Sequence, residues 1–127
     1  MTELEGSVAE VASILEELSV PYMLIRAIAV AAWGDARATL DVDLSVWAEP
    51  ADFAATVRAL CSRLRALPAD PIRFAEETRV LPLLSSLGIR LDLVFAELPA
   101  ERDLIARAQA KQLGGRPVNV ATVEDLI

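Results

Sequence analysis

The segment Leu40–Trp47 (LDVDLSVW) constrains this chain most. Its strict alternation is the period of a β-strand, in which successive side chains leave opposite faces. Asp41, Asp43 and Ser45 therefore share one face, and Val42, Leu44 and Val46 the other. The apolar face must be covered by other elements, which calls for a layered domain containing a sheet. Ile89–Phe95 (IRLDLVF) is a second strand candidate of the same kind, with Asp92 facing away from its apolar neighbours.

The rest of the chain surrounds these strands with helical signals. Residues 7–18 place Val8, Val11, Ile14, Leu15 and Leu18 at helical spacing, with Ser7 as N-cap. Pro21 ends that element, and Tyr22–Ile25 reads as a short buried strand. The alanine-rich run Ala27–Trp33 reads as a short helix closed by Gly34. Pro50 opens a helix over 51–67, with Phe53, Val57, Leu60, Cys61 and Leu64 on one face, and Pro68 and Pro71 mark a loop. Arg79–Leu84 and Ile89–Phe95 are strands joined by Ser85–Gly88. Pro99 begins a helix over roughly 100–109, Gly114 and Gly115 separate two extended segments, and Thr122 opens a capped helix that breaks off at Ile127. The order predicts an α/β or α+β domain, a mixed sheet with helices mainly on one face. The expectation is one domain over 1–127, truncated at its C-terminus.

Composition narrows the chemistry. The chain has no histidine and one cysteine, Cys61, which excludes histidine-based nucleophile systems, histidine zinc sites and an internal disulfide. Lys111 is the sole lysine among 12 basic residues. Carboxylates, arginines, hydroxyls and metal remain. The formal charge of −7 and the absence of a basic run argue against extended DNA binding. Hydrophobic residues reach 54%, but Pro21 and Arg26 interrupt the most apolar stretch, Val20–Trp33, short of the about 18 residues a spanning helix needs. With an acidic N-terminus, the expectation is a cytoplasmic protein. The apolar surplus also suggests self-association.

If the strands of Asp41, Asp43 and Asp92 are neighbours, three carboxylates converge. Like charges that close are unfavourable, and a magnesium ion relieves them because it favours carboxylate, phosphate and water oxygens. Such a cluster suits phosphoryl or nucleotidyl transfer. The alternative from spacing alone is that the aspartates line the wet face of a half-exposed sheet.

The stretch from Tyr22 to Leu44 resembles the minimal nucleotidyltransferases, above all small bacterial proteins of abortive-infection and toxin–antitoxin type. Those carry a hydrophobic strand, a glycine pair, a short helix and then Arg-x-Thr-x-Asp-x-Asp, matched here by Arg37, Thr39, Asp41 and Asp43. Asp92 matches the third acidic position, and the tail VATVEDLI matches the start of a further helix. The resemblance implies a nucleotidyltransferase fold. It implies Asp41 and Asp43 as magnesium ligands and Asp92 as third ligand or base. Arg37 and Thr39 would contact phosphate or buttress the strand. Arg37 paired with Asp35 at the surface, and Thr39 as a plain strand former, are the alternatives.

The glycine pair falls on Arg26-Ala27, the nucleotide-binding position of the family. Glycine there lets backbone approach phosphates, and arginine fills that space. Four readings of Arg26 stand. Its guanidinium partly replaces the metal beside Asp41 and Asp43, or it grips a triphosphate, or it is a substitution in an ordinary enzyme, or it extends to solvent at a strand end. Two functions follow. One is magnesium-dependent transfer of a nucleoside monophosphate from an NTP to a hydroxyl of a protein, tRNA or small molecule. The other is a catalytically inactive module acting as antitoxin or interaction partner. Trp33, Trp47 and Phe95 read as core residues.

Overall fold

The computed structural model describes residues 2–31 and 38–121, with 28–31 and 38–40 described by backbone alone. Four helices and seven strands follow in the order α1 (Glu3–Glu17), β1 (Tyr22–Ala31), β2 (Ala38–Val46), α2 (Phe53–Arg63), β3 (Arg65–Ala66), α3 (Pro71–Thr78), β4 (Val80–Leu84), β5 (Arg90–Phe95), α4 (Pro99–Ala106), β6 (Gln109–Leu113) and β7 (Arg116–Val120). The strands form one mixed sheet in the order β3-β4-β5-β2-β1-β7-β6. β2 runs parallel to β5 and β1 parallel to β7, and the other neighbours are antiparallel.

The alternation in β2 and β5 holds. Val42, Leu44, Val46, Leu91, Leu93 and Phe95 lie in the main core, which α1 completes with Val8, Val11, Ile14 and Leu15 and α2 with Phe53, Val57 and Leu60. α3 adds Ala75. α4 belongs to the opposite side. Its Ile105 packs with Met23 and Ala96, flanked by Ile25 and Trp47. Among the described residues, α1, α2 and α3 pack on one face of the sheet and α4 on the other.

Several sequence expectations are corrected. Ala27–Trp33 is not a helix where it is described, because β1 runs on to Ala31, paired with β2 from Ala27↔Val42 to Ala31↔Ala38. Sheet pairing overrides the helical preference of alanine. The rest of that segment, with Trp33 and Gly34, and the Thr122 helix start lie outside the described residues. α1 starts at Glu3, and Thr2 is its N-cap. Ser7 is buried instead, sharing a hydrogen bond of 2.8 Å with Ser85 at the β4–β5 turn. The expected helix over 51–67 is a 3-10 turn at Pro50–Asp52 followed by α2, which ends where Leu64 turns extended and β3 joins β4. Pro71 opens α3 rather than ending in a loop, with the Asp70 carboxylate accepting from the Arg73 amide. Arg79 is the left-handed C-cap of α3, φ 64°, not the first residue of β4. α4 stops at Ala106, and Gln109 begins β6.

Candidate functional site

The aspartates sit on the less covered face, and the strand register sets their spacing. Because β2 and β5 are parallel neighbours, Asp43 lies directly beside Asp92, and Asp41 lies beside Arg90. Asp41 and Asp43 are i, i+2 on one strand and share this face. All three are partly exposed. The neighbouring strands and the shared face on which that convergence depends are therefore present.

Arg26 reaches the same face through an irregularity in β1. Leu24 pairs with Leu44, but Arg26 pairs with Asp43, so the ladder carries a bulge at Ile25. Without that extra residue, continuation of the Leu24↔Leu44 register would set Arg26 opposite Val42, which is fully buried. A bulge re-aims side chains at the point of insertion. Here it sends a guanidinium to the acidic face instead of the core. Arg26 Nε donates to Asp43 Oδ2. The side chain is 59% exposed, so Arg26 is a surface residue and not a buried charge. Its pKa is raised, first by the hydrogen bond to Asp43 and then by the charge of Asp43, with desolvation opposing and the charge of Asp41 contributing least.

Arg90, which is not among the residues expected from sequence, also lies on this face. Arg90 Nε donates to Asp92 Oδ1 at 3.0 Å. The signal was present in the spacing, since Arg90 and Asp92 are also i, i+2 on one strand. The face therefore carries three carboxylates with one guanidinium on each side.

The remaining expected residues divide. Ala27 lies opposite Val42 and packs against the main core, so its side chain is turned from the acidic face. Thr39 lies in β2 opposite Val30 by backbone register. Arg37 lies outside the described residues. Phe95 is core, at 2% exposure, and stacks tilted on Phe53 at 4.7 Å. Trp47 lies in the smaller cluster, with Arg102 5.5 Å from its ring centre.

Among the described residues, no three histidine, cysteine, aspartate or glutamate side chains are gathered closely enough to hold a metal ion. At the site, Asp43 and Asp92 each pair with an arginine. Carboxylate is the donor type that a hard divalent cation takes, and Asp43 and Asp92 offer it from adjacent strands in register. The pairs that engage them are exposed, and ion pairs of that kind contribute little. Among the described residues no helix is long and apolar enough to cross a membrane.

No family model and no curated protein matches the chain. Among solved structures it is similar to an antigenic nucleotidyltransferase-like protein from Paracoccidioides brasiliensis, with a TM-score of 0.55 and 16% identity. That similarity covers 94% of this chain and 61% of the other, so the chain spans about three fifths of that protein's length. At that identity the likeness is one of fold alone, the mixed α+β architecture being similar to that of this nucleotidyltransferase-like neighbour.

Proposed function

We propose that this chain, built on a nucleotidyltransferase-like fold, transfers a nucleoside monophosphate from an NTP to a hydroxyl at the face carrying Asp41, Asp43 and Asp92. The observation that carries the reading is the parallel register that sets Asp43 beside Asp92, two residues from Asp41 on the same face. Like charges held that close favour a cation between them. Asp41 and Asp43 would hold magnesium, with Asp92 as third ligand or as base for the acceptor hydroxyl. A bound magnesium would neutralise charge developing on the transferred phosphoryl group. The chain's own residues supply the rest. Arg26 and Arg90 flank the carboxylates, and a planar guanidinium suits phosphate oxygens. Arg37 and Thr39, carried over from the Arg-x-Thr-x-Asp-x-Asp resemblance, belong to the same reading as phosphate contacts. The acceptor class remains protein, tRNA or small molecule in this proposal, in a bacterial, cytoplasmic setting of toxin–antitoxin or abortive-infection type.

The test is incubation with a panel of α-labelled NTPs and magnesium, read by label incorporation and intact mass. Label that requires magnesium and disappears in Asp43→Ala supports transfer. A complete lack of label with every NTP, in the presence of cell extract as acceptor source, overturns it.

A second reading is favoured by one contact. Arg26 stands where the resemblance has glycine, and it occupies Asp43. On that reading the guanidinium stands in for the cation, and the chain is a non-catalytic partner, an antitoxin or assembly module. Label that appears in Arg26→Gly, and in no other form of the chain, would select this second reading.

A further inference from the structure

The two ends of the sheet differ. At one end β3 is two residues long, and at the other β6 is five. Gln109, Ala110, Lys111 and Gln112 of β6 are all exposed. Among the described residues β6 pairs only with β7, in a continuous register from Gln109↔Val120 to Leu113↔Arg116. Sheet edges are commonly blunted by proline, a bulge, short length or a charged side chain. β6 carries no proline and no bulge. Its one charge is Lys111, the sole lysine of a chain with a formal charge of −7.

The register also shows which peptide groups face outward. Gly114 and Gly115, both with positive φ, form the two-residue turn between β6 and β7. Such a turn closes on a pair that exchanges hydrogen bonds, and pairs of that kind alternate with pairs that exchange none. Leu113↔Arg116 and Lys111↔Val118 are then bonded pairs, whereas Gln112↔Pro117 and Ala110↔Asn119 are not. Two further facts agree. Pro117 has no N–H to give, and the Asn119 amide donates to the Tyr22 hydroxyl, away from β6. Ala110 and Gln112 therefore turn their N–H and C=O groups to the open edge, one on each side of Lys111.

We propose that the β6 edge is a strand-pairing surface for an extended, carboxylate-bearing segment of a partner protein, and that Lys111 makes the selection. An antiparallel strand laid against Ala110 and Gln112 exchanges hydrogen bonds at both positions, and its residue between them faces Lys111. The main chain supplies affinity and the facing side chain supplies choice. A second copy of this chain is the poor occupant. The register that uses both positions sets Ala110 against Gln112 of the other copy, and so Lys111 against Lys111. That central pair is of the closely spaced, non-bonded kind, where like charges are destabilising. Any slipped register leaves one of the two positions opposite a residue outside β6. A glutamate or aspartate at the facing position turns the same contact into an attractive pair. β7 and β1 separate this edge from the aspartates of β2 and β5, so the surface does not depend on nucleotidyl transfer.

The test uses the full chain, with its own Lys111→Glu variant as the probe. That variant offers the same strand backbone with a carboxylate opposite Lys111. The unaltered chain and Lys111→Glu should each sediment as monomers. Their equimolar mixture should form a one-to-one pair, at least about fivefold tighter than any self-pairing of either, and weaker in high salt. In the mixture the Ala110 and Gln112 amides should exchange with solvent more slowly than in the unaltered chain alone. Gln112→Pro removes an outward N–H and no bond to β7, so in both partners it should abolish pairing while circular dichroism reports an unchanged fold. Lys111→Thr removes the like-charge contact and leaves the ladder whole, so it should self-pair more tightly than the unaltered chain. A mixture no heavier than its components overturns the proposal, as does slowed exchange elsewhere but not at Ala110 and Gln112. Pairing that survives Gln112→Pro, or a Lys111→Thr chain that self-pairs no better than the unaltered one, also overturns it. Self-pairing of the unaltered chain as tight as the mixture would make a second copy the occupant and overturn the role of Lys111.

Discussion

The two faces of β2 and β5 share one backbone and do opposite work. On one side Val42, Leu44, Val46, Leu91 and Leu93 are fully buried beneath α1 and α2. On the other, one residue along, Asp41, Asp43 and Asp92 are partly exposed and Arg90 is exposed. The buried face makes the strands neighbours. The open face inherits that neighbourhood and with it a spacing of charges that no local sequence preference would choose, since aspartate is disfavoured in strands. The buried core and the candidate site are thereby separated by a single step along the chain, and substitutions should separate their effects too.

The largest stability effect is expected from the buried side. Leu93→Ala removes a fully buried side chain from the centre of the core and should lower unfolding free energy by about 2–5 kcal/mol in urea titration. A smaller loss would mean that the core is looser than its burial suggests. Gly114→Ala comes next. Gly114 has φ +61°, and an added Cβ would stand 2.5 Å from the Glu5 carbonyl oxygen of α1. The β6–β7 turn would have to withdraw from the helix, and a loss above about 1 kcal/mol is expected.

A third, smaller effect is read against pH. Burial, the largest cause, raises the Tyr22 phenol above its ordinary 10.0. Its hydroxyl donates to Glu16 and accepts from the Asn119 amide. The folded chain therefore holds this proton more tightly than the unfolded chain does. The resulting stability is fully present below pH 10.0 and is lost as pH rises from there through the raised folded value. The melting temperature should fall in that window, and Tyr22→Phe should flatten the fall. An equally steep fall in Tyr22→Phe would assign it to other groups.

The smallest stability effects belong to the open face. Asp43→Asn and Asp92→Asn should leave the melting temperature nearly unchanged, because the pairs they disrupt are surface pairs. The same substitutions should abolish label transfer. Cooperative unfolding that shifts as far in Asp43→Asn as in Leu93→Ala would break the division between the faces.

The parts of this molecule that could be read from sequence were those governed by a short period. Alternation assigned the faces of β2 and β5, helical spacing located α1 and α2, and the Ser85–Gly88 turn joined β4 to β5. The readings that failed were those in which a local preference met a distant partner. The alanines after Arg26 favour a helix, yet β2 was available to pair with them. Ser7 resembles a cap, yet Ser85 lies 78 residues away in sequence and 2.8 Å away in space.

The candidate site divides in the same way. Sequence alone determined that Asp41 and Asp43 share a face, that Asp92 lies away from the apolar side of its strand, and that Arg26 is out of place in an apolar run. Each of these is a property of neighbours in the chain. Only the tertiary structure decided that Asp43 stands beside Asp92, that Arg90 belongs with them, and that a bulge delivers Arg26 to Asp43. Strand order and register arise from packing the whole buried face at once, and a one-residue slip in that register would have put every one of these charges on the other side.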